Sequence, residues 1–317
     1  LADIGGTNAR FALQEPGQST FADIEVLACA DYATLGEAMR AYLGKAANRG
    51  LAVDGVRHAA LAIANPVEED RVSMTNHHWS FSIEALRVEQ GLETLLVVND
   101  FAALAMSLPH LEENGRERIG GGLELPDRPL GLIGPGTGLG VSGVIPADGR
   151  WIALASEGGH VSFAPANKDE VAILETLWSE YGHVSAERLL SGMGLELIHR
   201  ALHDERLEAP GITGAALEGS SAACRRTVDT FCAILGSVAG NVALTLGATG
   251  GMYIGGGIVP RLGKLFTESS FRARFEDKGR LSPYLARIPT YLITEQYPAL
   301  HGVSALLDDQ IAPNRGA

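Results

Sequence analysis

Apolar residues along this chain fall into short runs, some of period two and some unbroken, separated by glycine-rich turns and by stretches of helical period. Residues 1–4 run into Gly5-Gly6-Thr7-Asn8, and apolar character resumes over residues 10–13 and 24–27. A Gly-Gly-Thr-Asn turn between two strands predicts a hairpin whose glycines permit φ > 0. Residues 34–48 carry Leu35, Ala38, Met39, Tyr42 and Leu43 at helical spacing. An unbroken run over residues 59–63, stopped by Asn65-Pro66, predicts a buried strand. Ser82 is placed to cap a helix over residues 83–90. Residues 95–98 predict another buried strand, which ends at Asn99-Asp100 before a helix over residues 101–108.

A polar stretch over residues 110–128 reads as a domain junction. Beyond it the pattern restarts with strands at 130–133, 141–145 and 151–155. The first two flank the turn Gly134-Pro135-Gly136-Thr137-Gly138. Strand, Gly-Thr turn and strand thus occur in both halves, an internal echo. The rest is mainly helical up to residue 246, then a strand at 252–254, a glycine turn at 255–257 and a helix begun near Pro260. Residues 302–307 predict a further helix. Alternating strands and helices point to an α/β fold, and 317 residues at about 150 per domain predict two domains.

Composition sharpens this picture at three points. Glycine is 39 of 317 residues, about 12% against about 7% in ordinary proteins, and it is clustered in the turns, where backbone can approach a ligand. The formal net charge of -13, with no Lys/Arg cluster, argues against nucleic acid or an anionic membrane as a partner. Three cysteines, none in a CxxC pair, suit a reducing cytoplasm better than a disulfide framework. Residues 230–260 hold no charge, long enough for a bilayer span. Asn241 and the glycine breaks favour instead a buried helix over 232–246 feeding the strand at 252–254.

Candidate chemistry lies at the turns and strand ends. In Asp3-Ile4-Gly5-Gly6-Thr7-Asn8 the glycines let backbone N–H groups meet an anion, and Asp3 suits a cation or its water; the alternative is an ordinary tight hairpin. The turn at 134–140 is a second phosphate cradle or a device of close strand packing. Its strand-turn-strand context does not fit the Rossmann pattern, and none of the four lysines completes a Walker motif. Any nucleotide is then held mostly by backbone. Asp100 at a strand's carboxyl end is either a catalytic carboxylate or a helix cap. Glu157 and His160 beside a flexible turn, with Glu187, suit a polyhydroxylated neutral ligand, with metal binding by Glu157 and His160 as the rival.

These segments together resemble the sugar kinase, Hsp70 and actin superfamily, whose two phosphate loops are similar to residues 3–10 and 134–140. More narrowly, the chain resembles the bacterial ATP-dependent glucokinase family. The matching segments are Met74-Thr75-Asn76-His77 with Trp79, Val98-Asn99-Asp100-Phe101, Glu157-Gly158-Gly159-His160-Val161 and His183-Val184-Ser185-Ala186-Glu187-Arg188. Gly255-Gly256-Gly257-Ile258-Val259-Pro260 and residues 271–280 match as well.

The resemblance implies a two-lobed actin-like ATPase (ribonuclease H-like) α/β fold with its active site in the interlobe cleft. Residues 1–109 plus 302–317 would form the small domain and 110–301 the large one. It implies transfer of the ATP γ-phosphoryl group to the 6-hydroxyl of D-glucose, with another hexose (fructose or mannose) or a non-enzymatic sugar sensor as alternatives. Asp100 would be the general base, and Asn99, Glu157, His160 and Glu187 would hold the other hydroxyls. Gly5, Gly6, Thr7, Gly136, Thr137 and Gly138 would cradle phosphates, Gly256 and Gly257 would lie by the adenosine, and Asp3 would sit near Mg²⁺ through water. A homodimer is implied, and no structural zinc, because no cysteine follows His160 until Cys224. With an ordinary carboxylate pKa of about 4, Asp100 is a weak base toward an alcohol, which predicts late proton transfer.

Overall fold

Strand formation in the first part of the chain follows its apolar runs. The elements are β1 (Ala2–Ile4), β2 (Asn8–Leu13), β3 (Ala22–Ala28), α1 (Leu35–Asn48), β4 (His58–Ile63), β5 (Arg71–Ser73), β6 (Ser80–Ser82), α2 (Ile83–Glu89), β7 (Thr94–Asn99) and α3 (Asp100–Ser107). They form a five-stranded sheet of order β3-β2-β1-β4-β7. β1, β2 and β3 are antiparallel, whereas β4 and β7 run parallel to β1. The run at 59–63 is buried at every position, as expected for a parallel strand covered on both faces. Thr34 caps α1 by accepting from Glu37 N, and Ser82 caps α2 by accepting from Ala85 N. The hairpin of β5 and β6 was not foreseen, because three-residue strands hold too few positions for a period to register.

The computed structural model describes residues 1–67, 69–75 and 77–311; Asn76 of the resembling segment lies outside them. The chain divides into two units, Leu1–Leu111 with the stretch from Gln296, and Glu112–Glu295. The second unit continues with β8 (Arg116–Gly120), β9 (Leu130–Pro135), β10 (Leu139–Ala147), β11 (Arg150–Ala153), α4 (Lys168–Trp178), α5 (Ala186–Leu189), α6 (Gly192–His203), α7 (Ala209–Glu218) and α8 (Ala222–Leu246). β12 (Gly251–Ile254), α9 (Val259–Leu262), α10 (Lys264–Thr267), α11 (Phe271–Glu276), α12 (Ser282–Ala286) and β13 (Thr290–Ile293) complete it. Its sheet order is β11-β10-β9-β12-β13-β8.

The internal echo therefore extends to whole sheets. Each begins with three antiparallel strands, and each first strand is flanked on its other side by two parallel ones. β8 is the departure, added antiparallel to β13. It also corrects the reading of residues 110–128 as junction alone. An edge strand in which Glu117 and Arg118 are exposed is too polar to signal itself by hydrophobicity.

The uncharged stretch is divided between the second half of α8 and β12 with its flanking turns; α8 starts ten residues before the expected position, capped by Ser221. By length and composition α8 could cross a membrane, but 67% of its most apolar window is buried in this unit. Gly236 and Gly240 on α8 meet α11 closely: a Cβ would come within 2.2 Å of Phe271 O and 2.7 Å of Phe275 O respectively. Both glycines therefore serve close helix packing. The resembling segment at 271–280 thus serves packing, with Arg274 ion-paired to buried Glu170 at 2.7 Å.

The C-terminal helix, α13 (Pro298–Ile311), belongs to the first unit and is longer than the 302–307 expected. It packs Ala299, Val303 and Leu307 against Ala60, Ala62 and Ala103. Gly302 lets its backbone reach α3, since a Cβ there would lie 1.7 Å from Ala103 O.

Candidate active site

In the first unit the carboxyl end of β7 delivers Asn99, and Asp100 opens α3. Asn99 is the helix cap: its Oδ1 accepts from Phe101 N at 2.9 Å and Ala102 N at 3.2 Å. Its Nδ2 donates to Asn65 O at 3.3 Å and to Asp100 Oδ1 at 3.1 Å. Asp100 Oδ1 also accepts from Phe101 N at 2.8 Å. The capping function is thus carried by Asn99, and Asp100 Oδ2 has no hydrogen-bond partner among the described residues.

Burial pushes the Asp100 carboxyl up to about 6, and the neighbouring Asp3 carboxylate pushes the same way. This corrects the expected value near 4. Desolvation of the charged form makes Asp100 a stronger base than a surface aspartate, so proton transfer need not lag as far behind bond formation.

Asp3 on β1 lies opposite Arg10 on β2, with Arg10 Nη1 3.2 Å from Asp3 Oδ2. Burial raises the Asp3 pKa, and the guanidinium works against that shift. The adjoining turn is closed by Gly5 N donating to Asn8 O at 2.9 Å. Cys29 supports it from below, its N donating to Thr7 O at 2.8 Å and its Sγ to Gly5 O at 3.5 Å. The amides of Gly6 and Thr7 donate to nothing among the described residues, which leaves two N–H groups for an anion.

The second unit brings together the remaining candidates. Gly136, Thr137 and Gly138 form the β9–β10 turn, closed by Gly136 N donating to Gly138 O at 2.8 Å. Gly256 and Gly257 follow β12, which is parallel to β9, so both turns lie at the carboxyl ends of adjacent strands. They touch: a Cβ on Gly136 would lie 4.0 Å from Gly257 N, and one on Gly256 would lie 2.3 Å from Pro135 O. Gly256 also has φ +78°, where a side chain is strained. A bare backbone trough of this kind fits a nucleotide held without a Walker lysine.

Glu157 and His160 bracket a 3-10 turn, with His160 Nε2 3.8 Å from Glu157 Oε2. Glu187 on α5 places Oε1 4.0 Å from His160 Nδ1, while its Oε2 accepts from Leu139 N at 2.9 Å. The Glu157 and His160 side chains are 75% and 60% exposed, open to a ligand's hydroxyls.

Sequence reading missed the supporting residues. Asn65 ties down the loop beside Asp100: its Nδ2 donates to Ser73 O and its Oδ1 accepts from Thr75 N, both at 2.8 Å. The Asn-Pro pair marked a strand end and nothing more. Arg10 and Cys29 carried no signal beyond strand residues, because their roles depend on cross-strand register.

As for magnesium, no group of three or more His, Cys, Asp or Glu side chains suited to a metal occurs among the described residues. Asp3, with Asp100 nearby, supplies few donors. This fits Mg²⁺, which keeps several waters and is held by one or two carboxylates plus substrate phosphates.

A family model described as Glucokinase matches residues 1–310. The chain is 55% identical to a glucokinase from Chromobacterium violaceum, over 99% of this chain and 90% of that protein. It is 54% identical to the bifunctional protein glk of Paraburkholderia xenovorans, over 100% of this chain and 50% of that protein. The chain thus spans about half the length of this and several other curated relatives. A solved glucokinase from an Antarctic psychrotroph is 35% identical, with a TM-score of 0.89 over 97% of this chain and 98% of that one. The expected sugar-kinase fold of the actin-like ATPase class is therefore the fold observed.

Proposed function

The chain belongs to the glucokinase family, and from that premise we propose that it transfers the γ-phosphoryl group of ATP to the 6-hydroxyl of D-glucose. The observation that carries this reading is Asp100. A carboxylate with one oxygen fixed by two donors, the other free, and a pKa raised to about 6 is a poised general base. As the sugar O6 bonds to phosphorus and the bond from phosphorus to ADP breaks, Asp100 Oδ2 takes the hydroxyl proton. Asn99 orients that carboxylate from the helix cap. In the first unit the free amides of the 5–7 turn are donors for phosphate; in the second, Glu157, His160 and Glu187 offer acceptors and donors to sugar hydroxyls, and the bare 136–138 and 256–257 turns offer backbone to the nucleotide. Asp3 would hold Mg²⁺ through water; bound with the nucleotide, the ion neutralises charge on the phosphoryl group.

A coupled assay of ADP release tests the proposal, with ATP, Mg²⁺ and a panel of glucose, fructose and mannose. Turnover with glucose at least as fast as with the other hexoses supports it; preference for another hexose reassigns the substrate, and no turnover with any sugar ends the kinase reading. We further propose a homodimer in a reducing cytoplasm. All three cysteines are free and buried, in keeping with that compartment, and sedimentation analysis reads the oligomeric state.

A further inference from the structure

Gly138 is bare for a reason that its backbone does not supply. Its φ lies outside the left-handed region, so alanine is conformationally allowed there. The three atoms nearest to a Cβ built on it all belong to one side chain: Glu187 Oε2 at 2.4 Å, Cδ at 3.2 Å and Cγ at 3.9 Å. What keeps position 138 empty is the Glu187 carboxylate folded across it.

That carboxylate faces two ways. Oε2 accepts from Leu139 N at 2.9 Å, the first amide after the phosphate turn, and Oε1 lies 4.0 Å from His160 Nδ1 on the sugar side. The segment that bears it is tied at both ends of this path. Ser185 caps α5 by accepting from Arg188 N, and Ala186 N donates to Val161 O at 2.9 Å, next to His160. Gly192 N donates to Gly136 O at 3.0 Å, within the phosphate turn itself. Residues 185–192 therefore strap the 136–138 turn to the 157–161 turn, and the Glu187 side chain reaches toward both.

We propose that Glu187 is a positioning residue that couples the two substrates. A sugar hydroxyl drawn to Oε1 holds the carboxylate over Gly138, fixes Leu139 N and sets the phosphate turn, so sugar binding raises nucleotide affinity. By linkage the nucleotide raises sugar affinity by the same factor. Gly138, assigned to phosphate binding by its sequence pattern, acts in this scheme as clearance for a sugar-side carboxylate. The inference rests on the glucokinase reading, since it takes Glu187 as a sugar ligand.

The decisive variant is Gly138→Ala. Its Cβ collides with the far end of a flexible side chain and not with backbone, so the fold is kept and Glu187 is pushed aside. Calorimetric titration of ADP with Mg²⁺, with and without saturating glucose, reads the coupling. In the natural protein glucose should tighten ADP at least about fivefold, the low end of ordinary coupling. In Gly138→Ala the ratio should fall to about one and the glucose KM should rise about tenfold, whatever the change in ADP affinity without sugar. Glu187→Gln keeps an oxygen for Leu139 N, so it should retain the ratio while glucose KM rises; Glu187→Ala should lose both. That contrast carries the test if Gly138→Ala fails to fold.

A folded Gly138→Ala protein with unchanged ratio and unchanged glucose KM overturns the inference, as does a ratio of one in the natural protein. Either result leaves the kinase reading standing if glucose is still phosphorylated. Absence of turnover with every sugar overturns the kinase reading, and this inference with it.

Discussion

The two Gly-Thr hairpins occupy equivalent places in their sheets, yet each keeps different company. The 5–7 turn lies beside half-buried acids: desolvation raises the Asp3 pKa, and Asp100 reaches about 6. The 136–138 turn lies beside acids that water reaches, with the Glu157 side chain 75% exposed and that of Glu187 34% exposed. Desolvation costs a carboxylate its charge, which suits a group that must take up a proton. An exposed carboxylate is open to accept hydrogen bonds from a ligand's hydroxyls. One hairpin frame thus carries proton chemistry in the first unit and ligand recognition in the second, and the difference is made by what packs around the turn.

The strongest way to break this comparison is to remove the half-buried acid Asp100. Asp100→Asn should bind sugar normally but lose about 10²- to 10⁴-fold in kcat, the range of a general base; steady-state rates with tight glucose binding retained decide it. If most of the rate survives, the first hairpin carries no proton chemistry. Next in size is the pH dependence. Below about 6 Asp100 is protonated, so kcat/KM should fall about tenfold per pH unit and level off above it. The same limb should be missing in Asp100→Asn.

Stability runs the other way. The folded pKa of about 6 exceeds the unfolded value of about 4, so the contribution of this group is present below pH 4 and lost as pH rises through 6. Asp100→Asn should therefore be more stable at pH 8, by about 1–2 kcal/mol once solvent screening is discounted, read from urea melts.

Two smaller tests compare the turns directly. Gly256→Ala forces a Cβ to within 2.3 Å of Pro135 O at φ +78°. It should raise the ATP KM about tenfold or cost about 1–3 kcal/mol of stability, while leaving the pH limb in place. Cys29→Ser under the first turn should be the mildest, with ATP KM within about threefold of the natural protein, because serine can donate to Gly5 O as the thiol does.

Legibility followed the range of the interactions. β4 and β9 announced themselves as unbroken apolar runs, and α1 by its period and its Thr34 cap, because those signals lie within a few residues of one another. β8 did not, since an edge strand with exposed Glu117 and Arg118 owes its place to pairing with β13, about 170 residues away. Among the site residues, the Asn99-Asp100 pair marked a strand end, but only the structure divides the work, giving the cap to Asn99 and the free oxygen to Asp100. Gly138 was visible as one more glycine in a phosphate-like turn. Its clearance for Glu187 joins residues 49 positions apart, a relation that no local pattern encodes.

By itself the sequence determined the α/β class, the doubled strand-turn-strand plan and the family, because apolar period, glycine turns and ordered motifs are properties of neighbouring residues. The tertiary structure decided the electrostatics: a carboxylate acquires a pKa near 6 only when the fold removes its water and sets Asp3 beside it. It also decided which glycines are bare for backbone freedom, as at Gly256, and which for a distant side chain, as at Gly138. Burial and clearance are sums over atoms brought together from far along the chain, so they exist only once it has folded.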